Sequence, residues 1–241
     1  MKQGLFKVLS NERIAKNIYK MRFEGEHAII KPGQFVNIKL DGMFLRRPIS
    51  VYNYKENEFE IIYKVVGKGT EYMSNAKCGD VYDILTGLGN GFDTEKCKTN
   101  PVLIGGGVGV PPLYALADKL VKQGKNVCAV LGFNTYDEVF CESEFKNLGV
   151  KTYVTTADGS YGIKGFVTDA LKNINYDYFY ACGPEAMLKA LNSLNTGGQL
   201  SFESRMGCGF GACMGCSCKT KYGNKRICKD GPVLDKEEVI W

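Results

Sequence analysis

Four cysteines near the C-terminal end carry the most chemically explicit spacing in the sequence. Cys208, Cys213 and Cys216 read C-x4-C-x2-C, and Cys228 follows twelve residues later. Three thiolates on one short loop with a distant fourth is the ligand spacing of a plant-type [2Fe–2S] centre. Gly207, Gly209, Gly211 and Gly215 interleave them, which predicts positive φ and close approach of backbone N–H groups to sulfur. Met206, Phe210 and Met214 offer a partial apolar shell that would tune the potential. A structural zinc site is the alternative; it asks for paired C-x2-4-C knuckles, and only one fits cleanly. Cys218 is a surplus thiol with no assigned role. Cys78, Cys97, Cys128 and Cys141 are scattered and read as small apolar residues.

Two further motifs suit a nucleotide. LIGGGVGVPPLYALA places Gly105, Gly106, Gly107, Val108 and Gly109 between a strand and a helix, where a phosphate meets a helix N-terminus. It departs from G-x-G-x-x-G, because Val110 stands where the last glycine belongs. YACGPEAML puts Cys182, Gly183 and Pro184 at the end of another strand, and such strand ends line one crevice in an open α/β sheet. Cys182 is equally explained as a buried small residue. Earlier, LRRPISVYN presents Arg46 and Arg47; Pro48 holds Arg47 extended, which suits a guanidinium aimed at a diphosphate. IIYKVVGKGT ends a strand with Gly67, Gly69 and Thr70, an anion nest near Lys64 and Lys68. Each of these last two motifs, taken alone, also fits a solvated strand end. In GFNTYDEVF, Asp137 and Glu138 supply carboxylates rather than an arginine for a 2′-phosphate, which favours NAD over NADP. His27, the single histidine, is expected at the surface or barrel edge.

These motifs need two kinds of scaffold. Strand-like alternation runs through Leu5–Leu9, Ile18–Phe23, Gln34–Leu40, Ile49–Tyr54, Phe59–Val66 and Asp80–Leu85, with glycines at the breaks. That pattern predicts an antiparallel β-barrel. From Pro101 the rhythm changes to short apolar strands (PVLIGG, NVCAVLG, KTYVTTA, DYFYACG) separated by helical patterns, as a parallel α/β sheet requires. Leu113, Leu116, Ala117, Leu120 and Val121 recur at helical spacing between Pro111 and Gly124. Boundaries near Cys97–Asn100 and at the linker-like Thr196–Gln199 divide the chain into a barrel domain (1–98), an α/β domain (99–198) and a small cluster domain (199–241). The 241 residues are 44% hydrophobic, enough for a sizeable core. Net charge is +5 without a long basic run, which argues against nucleic acid or a membrane surface as partner. No apolar run reaches the ~18 residues of a membrane helix, and the N-terminal stretch lacks a signal-peptide core. A cytosolic setting follows, where clustered cysteines mean metal or redox chemistry rather than disulfides.

RPIS, GKGT, GGGVGVPP and CGP, in that order, resemble the ferredoxin reductase-like flavoproteins. The tail CGFGACMGCSCKT…CKDGPVLDKEEV is similar to that of the electron-transfer subunits of NAD-linked, B-type dihydroorotate dehydrogenases. The resemblance implies FAD on the barrel, with Arg47 on the pyrophosphate and Pro48, Ile49 and Ser50 beside the flavin ring. It implies that Ile62, Tyr63 and Lys64 line that cofactor and that Gly69 and Thr70 hold it at a helix start. NAD would lie over Gly105–Gly109 and Cys182–Pro184, and Cys208, Cys213, Cys216 and Cys228 would ligate the cluster. Catalysis would belong to the cofactors, with no general base. The implied partner is a catalytic subunit carrying FMN, which oxidises dihydroorotate, in a two-plus-two heterotetramer. Electrons would run from that FMN through the cluster and FAD to NAD+. Thr86–Gly87 departs from the family's usual Gly-Pro before Leu88. Two alternatives remain open at this point: a flavoprotein serving a ferredoxin or a sulfur-reducing partner, and a non-catalytic zinc module that docks a partner.

Overall fold

Alternating apolar and polar side chains close the first part of the chain into a barrel. The computed structural model describes residues 1–241. Its first strands are β1 (Lys2–Ala15), β2 (Ile18–Glu24), β3 (Phe35–Ile38), β4 (Arg47–Tyr54) and β5 (Glu58–Lys64). Helix α1 (Lys68–Ser74) follows, then β6 (Val81–Leu88). The order β1-β2-β5-β4-β3-β6 closes on itself with every pair antiparallel. All six expected strands are present. β1 runs well beyond Leu5–Leu9 because pairing with β2 and β6 carries its exposed polar positions. Phe6, Phe23, Phe59, Ile61 and Tyr63 fill the interior.

Beyond Pro101 the apolar strands are covered on both faces, as parallel strands must be. The elements are β7 (Pro101–Gly106), α2 (Tyr114–Lys122), β8 (Cys128–Phe133), α3 (Glu142–Asn147), β9 (Lys151–Thr156), β10 (Ile163–Lys164), α4 (Val167–Leu171), β11 (Tyr178–Cys182), α5 (Glu185–Asn192) and β12 (Gly198–Ser201). The tail adds a hairpin, β13 (Ser217–Thr220) with β14 (Gly223–Arg226), and a last short strand, β15 (Val233–Asp235). The large sheet has the order β10-β9-β8-β7-β11-β12-β15, with only β15 antiparallel. Leu103, Ala129 and Leu131 face α2, whereas Val102, Ile104 and Val130 face α4, α5 and the tail. Pro111 and Pro112 start a 3-10 turn that leads into α2, and Gly124 closes the helix at φ +74°.

Two expectations change. Thr196–Gln199, expected as a linker, runs straight into β12, whose four residues are all buried. Gly198 is there because a Cβ would overlap the Phe179 ring, not to give freedom. The tail, in turn, contributes β15 to the α/β sheet. The barrel and sheet meet through Ile18, Tyr52 and Ile62, packed against Val110 and Leu113. Tyr52 stacks on Tyr114 at 4.5 Å between ring centroids.

Candidate functional site

Three places gather the chemistry. At the barrel, Arg46 and Arg47 separate in role. Arg46 is tied to Asp83, donating from Nη2 to the carboxylate at 3.0 Å and from Nη1 to its carbonyl at 2.9 Å. Arg47 is not ion-paired: it donates to the Leu45 carbonyl and lies 3.1 Å from the Met43 sulfur. Its guanidinium packs over Gly69 at the start of α1, where any Cβ would overlap it. Thr70 shapes that turn, its Oγ1 accepting from Val66 N at 2.9 Å and donating to the Gly67 carbonyl at 3.1 Å. An unpaired guanidinium over a helix start, with a glycine keeping the space open, fits a pyrophosphate. Pro48, Ile49 and Ser50 are half-buried along β4. Ile62 and Tyr63 are not free to present their side chains: Ile62 packs in the domain junction, and Tyr63 is 2% exposed with its hydroxyl donating to Asn11 at 3.0 Å. Any contact they make with a cofactor is through the main chain.

The second place is a cleft of about 580 Å³ at the carboxyl ends of the parallel strands. The chain winds from β7 through β8 and β9 to one side, then returns to place β11 on the other. The strand order therefore reverses between β7 and β11, where open sheets bind ligands. Gly106, Gly107, Val108 and Pro184 line the cleft, with Lys64 reaching in from the barrel. The other expected residues support rather than line it. A Cβ on Gly105 would meet Val110 at 2.7 Å, and one on Gly109 would overlap the Cys182 carbonyl, so these glycines bring backbone onto backbone. Gly107 alone has the left-handed φ, +52°, with open space before it. Cys182 is 4% exposed, and burial pushes its thiol up to about 12. Gly183 follows it against the Met187 methyl. Thr155 lines the cleft, its Oγ1 buried without a hydrogen-bond partner in the polypeptide.

Asp137 and Glu138 do not stand free for a ribose. Asp137 pairs with Lys16 at 2.8 Å and Glu138 with Lys64 at 2.9 Å, so both join the α/β domain to the barrel. The bond from Lys64 holds the Glu138 carboxyl below its ordinary range. Residues absent from the sequence-level set also line the cleft: Phe166, 71% exposed, and Glu203, whose carboxyl is raised by the protein around it although solvent reaches it. Neither carries a motif.

The third place is the cysteine tail, and its sulfurs come in two pairs. Cys208 N donates to Cys213 Sγ at 3.4 Å and Cys213 N to Cys208 Sγ at 3.5 Å; Cys228 N donates to Cys216 Sγ at 3.4 Å. A binuclear cluster takes two thiolates on each iron, whereas a single zinc would draw all four to one point. The Cys208 thiol, raised by partial burial, is brought down to about 6 by N–H groups of Cys213, Phe210 and Ala212. Cys216 and Cys228 are buried at 3% and 2%. Gly209 (φ +81°) and Gly211 (φ +95°) supply positive φ as expected. Gly207 and Gly215 do not; they leave room beside the Cys213 sulfur, and Met214 takes the left-handed turn at φ +59°. Phe210 and Met214 are largely exposed, so only Met206 packs as an apolar shell. Cys218 lies on β13, half-buried, two residues beyond Cys216.

The tail is bound to both domains. Asn90 grips it by donating Nδ2 to the Val233 carbonyl at 2.7 Å and accepting from Val233 N at 3.1 Å. Asn90 N also donates to the Gly231 carbonyl at 2.7 Å. Gly89 must be glycine because Pro232 would meet its Cβ at 2.5 Å. Thr86–Gly87 forms no turn but lies within β6, with Thr86 Oγ1 accepting from Ala28 N at 3.1 Å and Gly87 at φ +67° where the register with β3 shifts.

Comparison with known proteins agrees with this geometry. Residues 203–240 match the family model described as the iron-sulfur cluster binding domain of dihydroorotate dehydrogenase B, and 103–193 match the oxidoreductase NAD-binding domain. The dihydroorotate dehydrogenase B (NAD(+)) electron transfer subunit of Fusobacterium nucleatum is 48% identical, covering 96% of each chain. That of Geobacillus sp. is 44% identical over 100% of this chain and 99% of its own. A solved structure of an NADH-dependent reduced ferredoxin-NADP oxidoreductase superposes with a TM-score of 0.90 at 34% identity, covering 99% of this chain and 90% of that one. Phthalate dioxygenase reductase, at 19% identity and a TM-score of 0.66, shares the fold over 79% of this chain and 63% of its own. With its cluster-spaced thiols, its cleft at the strand reversal and this full-length likeness, the chain belongs to the family of dihydroorotate dehydrogenase B electron transfer subunits.

Proposed function

We propose that this chain is the electron-transfer subunit of an NAD+-linked dihydroorotate dehydrogenase, working in the cytoplasm beside a catalytic subunit that holds FMN. That partner oxidises dihydroorotate to orotate, and the two subunits assemble two plus two. The observation that carries this reading is the pairing of Cys208 with Cys213 and of Cys216 with Cys228, on a tail bound to a barrel and a dinucleotide-type sheet. When bound, nicotinamide exchanges one hydride, two electrons at once, flavin converts between electron pairs and single electrons, and a [2Fe–2S] centre carries one at a time.

The chain's own residues bind and orient. Arg47 and the Gly69–Thr70 turn hold the FAD diphosphate, with Pro48, Ile49 and Ser50 beside the ring and the backbone of Ile62 and Tyr63 lining it. Gly105–Gly109 and Cys182–Pro184 shape the NAD cleft, Gly107 letting the backbone approach the ligand. Lys64 spends its charge on Glu138 and so fixes the two domains around that cleft. Residues 1–98, 99–198 and 199–241 divide these tasks, although β12 and β15 share a sheet. No helix is long and apolar enough to cross a membrane.

Expressed alone, the protein should be brown, with iron, acid-labile sulfide and flavin, and should oxidise NADH with an artificial acceptor while leaving dihydroorotate untouched. Appreciable dihydroorotate turnover by the isolated chain refutes the division of labour. The likeness to a reduced ferredoxin-NADP oxidoreductase supports a second reading, a subunit that serves ferredoxin. Copurification with an FMN-containing subunit decides for the first.

A further inference from the structure

We propose that Asn37 is a positioning residue for electron exchange between the barrel's flavin face and the tail cluster, a role that rests on the function proposed above. Asn37 lies on β3 between Val36 and Ile38, which fill the barrel interior. Strand alternation therefore turns its side chain to the opposite face. There it is 1% exposed, and its Nδ2 donates to the Cys208 carbonyl at 3.1 Å. Gly209 packs directly on the same amide, and any Cβ there would overlap Nδ2. Across the sheet, Asn37 is the register partner of Pro48 on β4, the strand that carries Arg47 and Ser50. Arg46 steadies this point by donating to the Asn37 carbonyl at 3.3 Å. One side chain thus joins the flavin strand pair to the first cysteine of the cluster loop.

The amide is unfavourable for the fold alone. Its Oδ1 is buried and accepts no hydrogen bond. An apolar side chain would avoid that penalty. Local rules are broken in this way where function demands it, and the one hydrogen bond the carboxamide makes goes to the cluster loop. Groups that orient metal ligands from behind cost about 10- to 100-fold in affinity or activity when removed.

Asn37→Leu deletes the donor while keeping the number of side-chain heavy atoms, and Asn37→His returns an N–H at similar reach. The holoprotein is mixed with NADH in a stopped-flow instrument, resolving flavin bleaching from cluster bleaching, and the reduced cluster is examined by EPR. Asn37→Leu should slow the cluster phase by about tenfold or more and shift the EPR g-values, and Asn37→His should recover both. Asn37→Leu protein with full iron, sulfide and flavin, a native cluster phase and a native EPR signal overturns the proposal. Should Asn37→Leu lose its iron, Asn37→His decides: regained iron and EPR signal support the role, and a continued loss overturns it. Wild-type protein without flavin or cluster would instead overturn the function on which the proposal rests.

Discussion

Gly69→Ala should separate the stability of this protein from its grip on FAD. Alanine is the better helix former by up to about 1 kcal/mol, and Gly69 is the second residue of α1 without a positive φ. Nothing in the backbone opposes the change. Its Cβ, however, would occupy the space of the Arg47 Nε and Cζ atoms. Arg47 is a long side chain that can swing away at little cost to folding, because no carboxylate holds it. What is lost is its aim. Hydrogen bonds to a charged group contribute about 1.5–3 kcal/mol, so FAD affinity should fall about 10- to 150-fold. The melting temperature of the flavin-free protein should hold or rise. Flavin fluorescence titration of the apoprotein gives the first quantity and thermal unfolding without FAD the second. Unchanged FAD affinity in Gly69→Ala, with weakened affinity in Arg47→Ala, would show that the guanidinium does not depend on this glycine.

Three other perturbations follow from the same geometry. Asn90→Ala removes both bonds to Val233 and should cost about 1–3 kcal/mol, seen as a lower melting temperature and faster proteolysis after Asp230. Cys228→Ser should abolish the cluster's visible absorption, whereas Cys218→Ser should keep full iron and sulfide content. Burial lifts the Cys182 thiol from 9.0 to about 12, so the unfolded chain releases its proton first as pH rises. The contribution of this thiol to stability is therefore complete below pH 9 and is lost at about 1.4 kcal/mol per unit between 9 and 12; Cys182→Ala should flatten that part of the urea-midpoint profile.

The sequence displayed the barrel and the parallel strands because their apolar positions recur at clean periods of two or in short solid runs. It displayed the cluster ligands because thiolate spacing is local: three of them lie within nine residues. What it hid depends on contacts between distant segments. Nothing local marks Val233–Asp235 as a sheet strand, since three residues have no period. Arg46 and Arg47 look alike in sequence, and only Asp83, 37 residues away, makes one a strut and leaves the other for a ligand. Asp137 and Glu138 suggested ribose recognition because their lysine partners come from the turn after β1 and the end of β5, far upstream. NAD as cofactor is supported by the family, not by those two carboxylates.

The pairing of β15 with β12 bears on how the protein is made. Ribosomes deliver a chain from its N-terminus, so β12 emerges before the four cysteines do. Until β15 arrives, Gly198–Ser201 is an open edge with unpaired backbone groups, the kind that recruits foreign strands. The cysteine loop lies between those two strands, so sealing the sheet and gathering the thiols are a single closing event. Iron shortage should then reduce the amount of the polypeptide itself, through aggregation or proteolysis, and not only its redox competence.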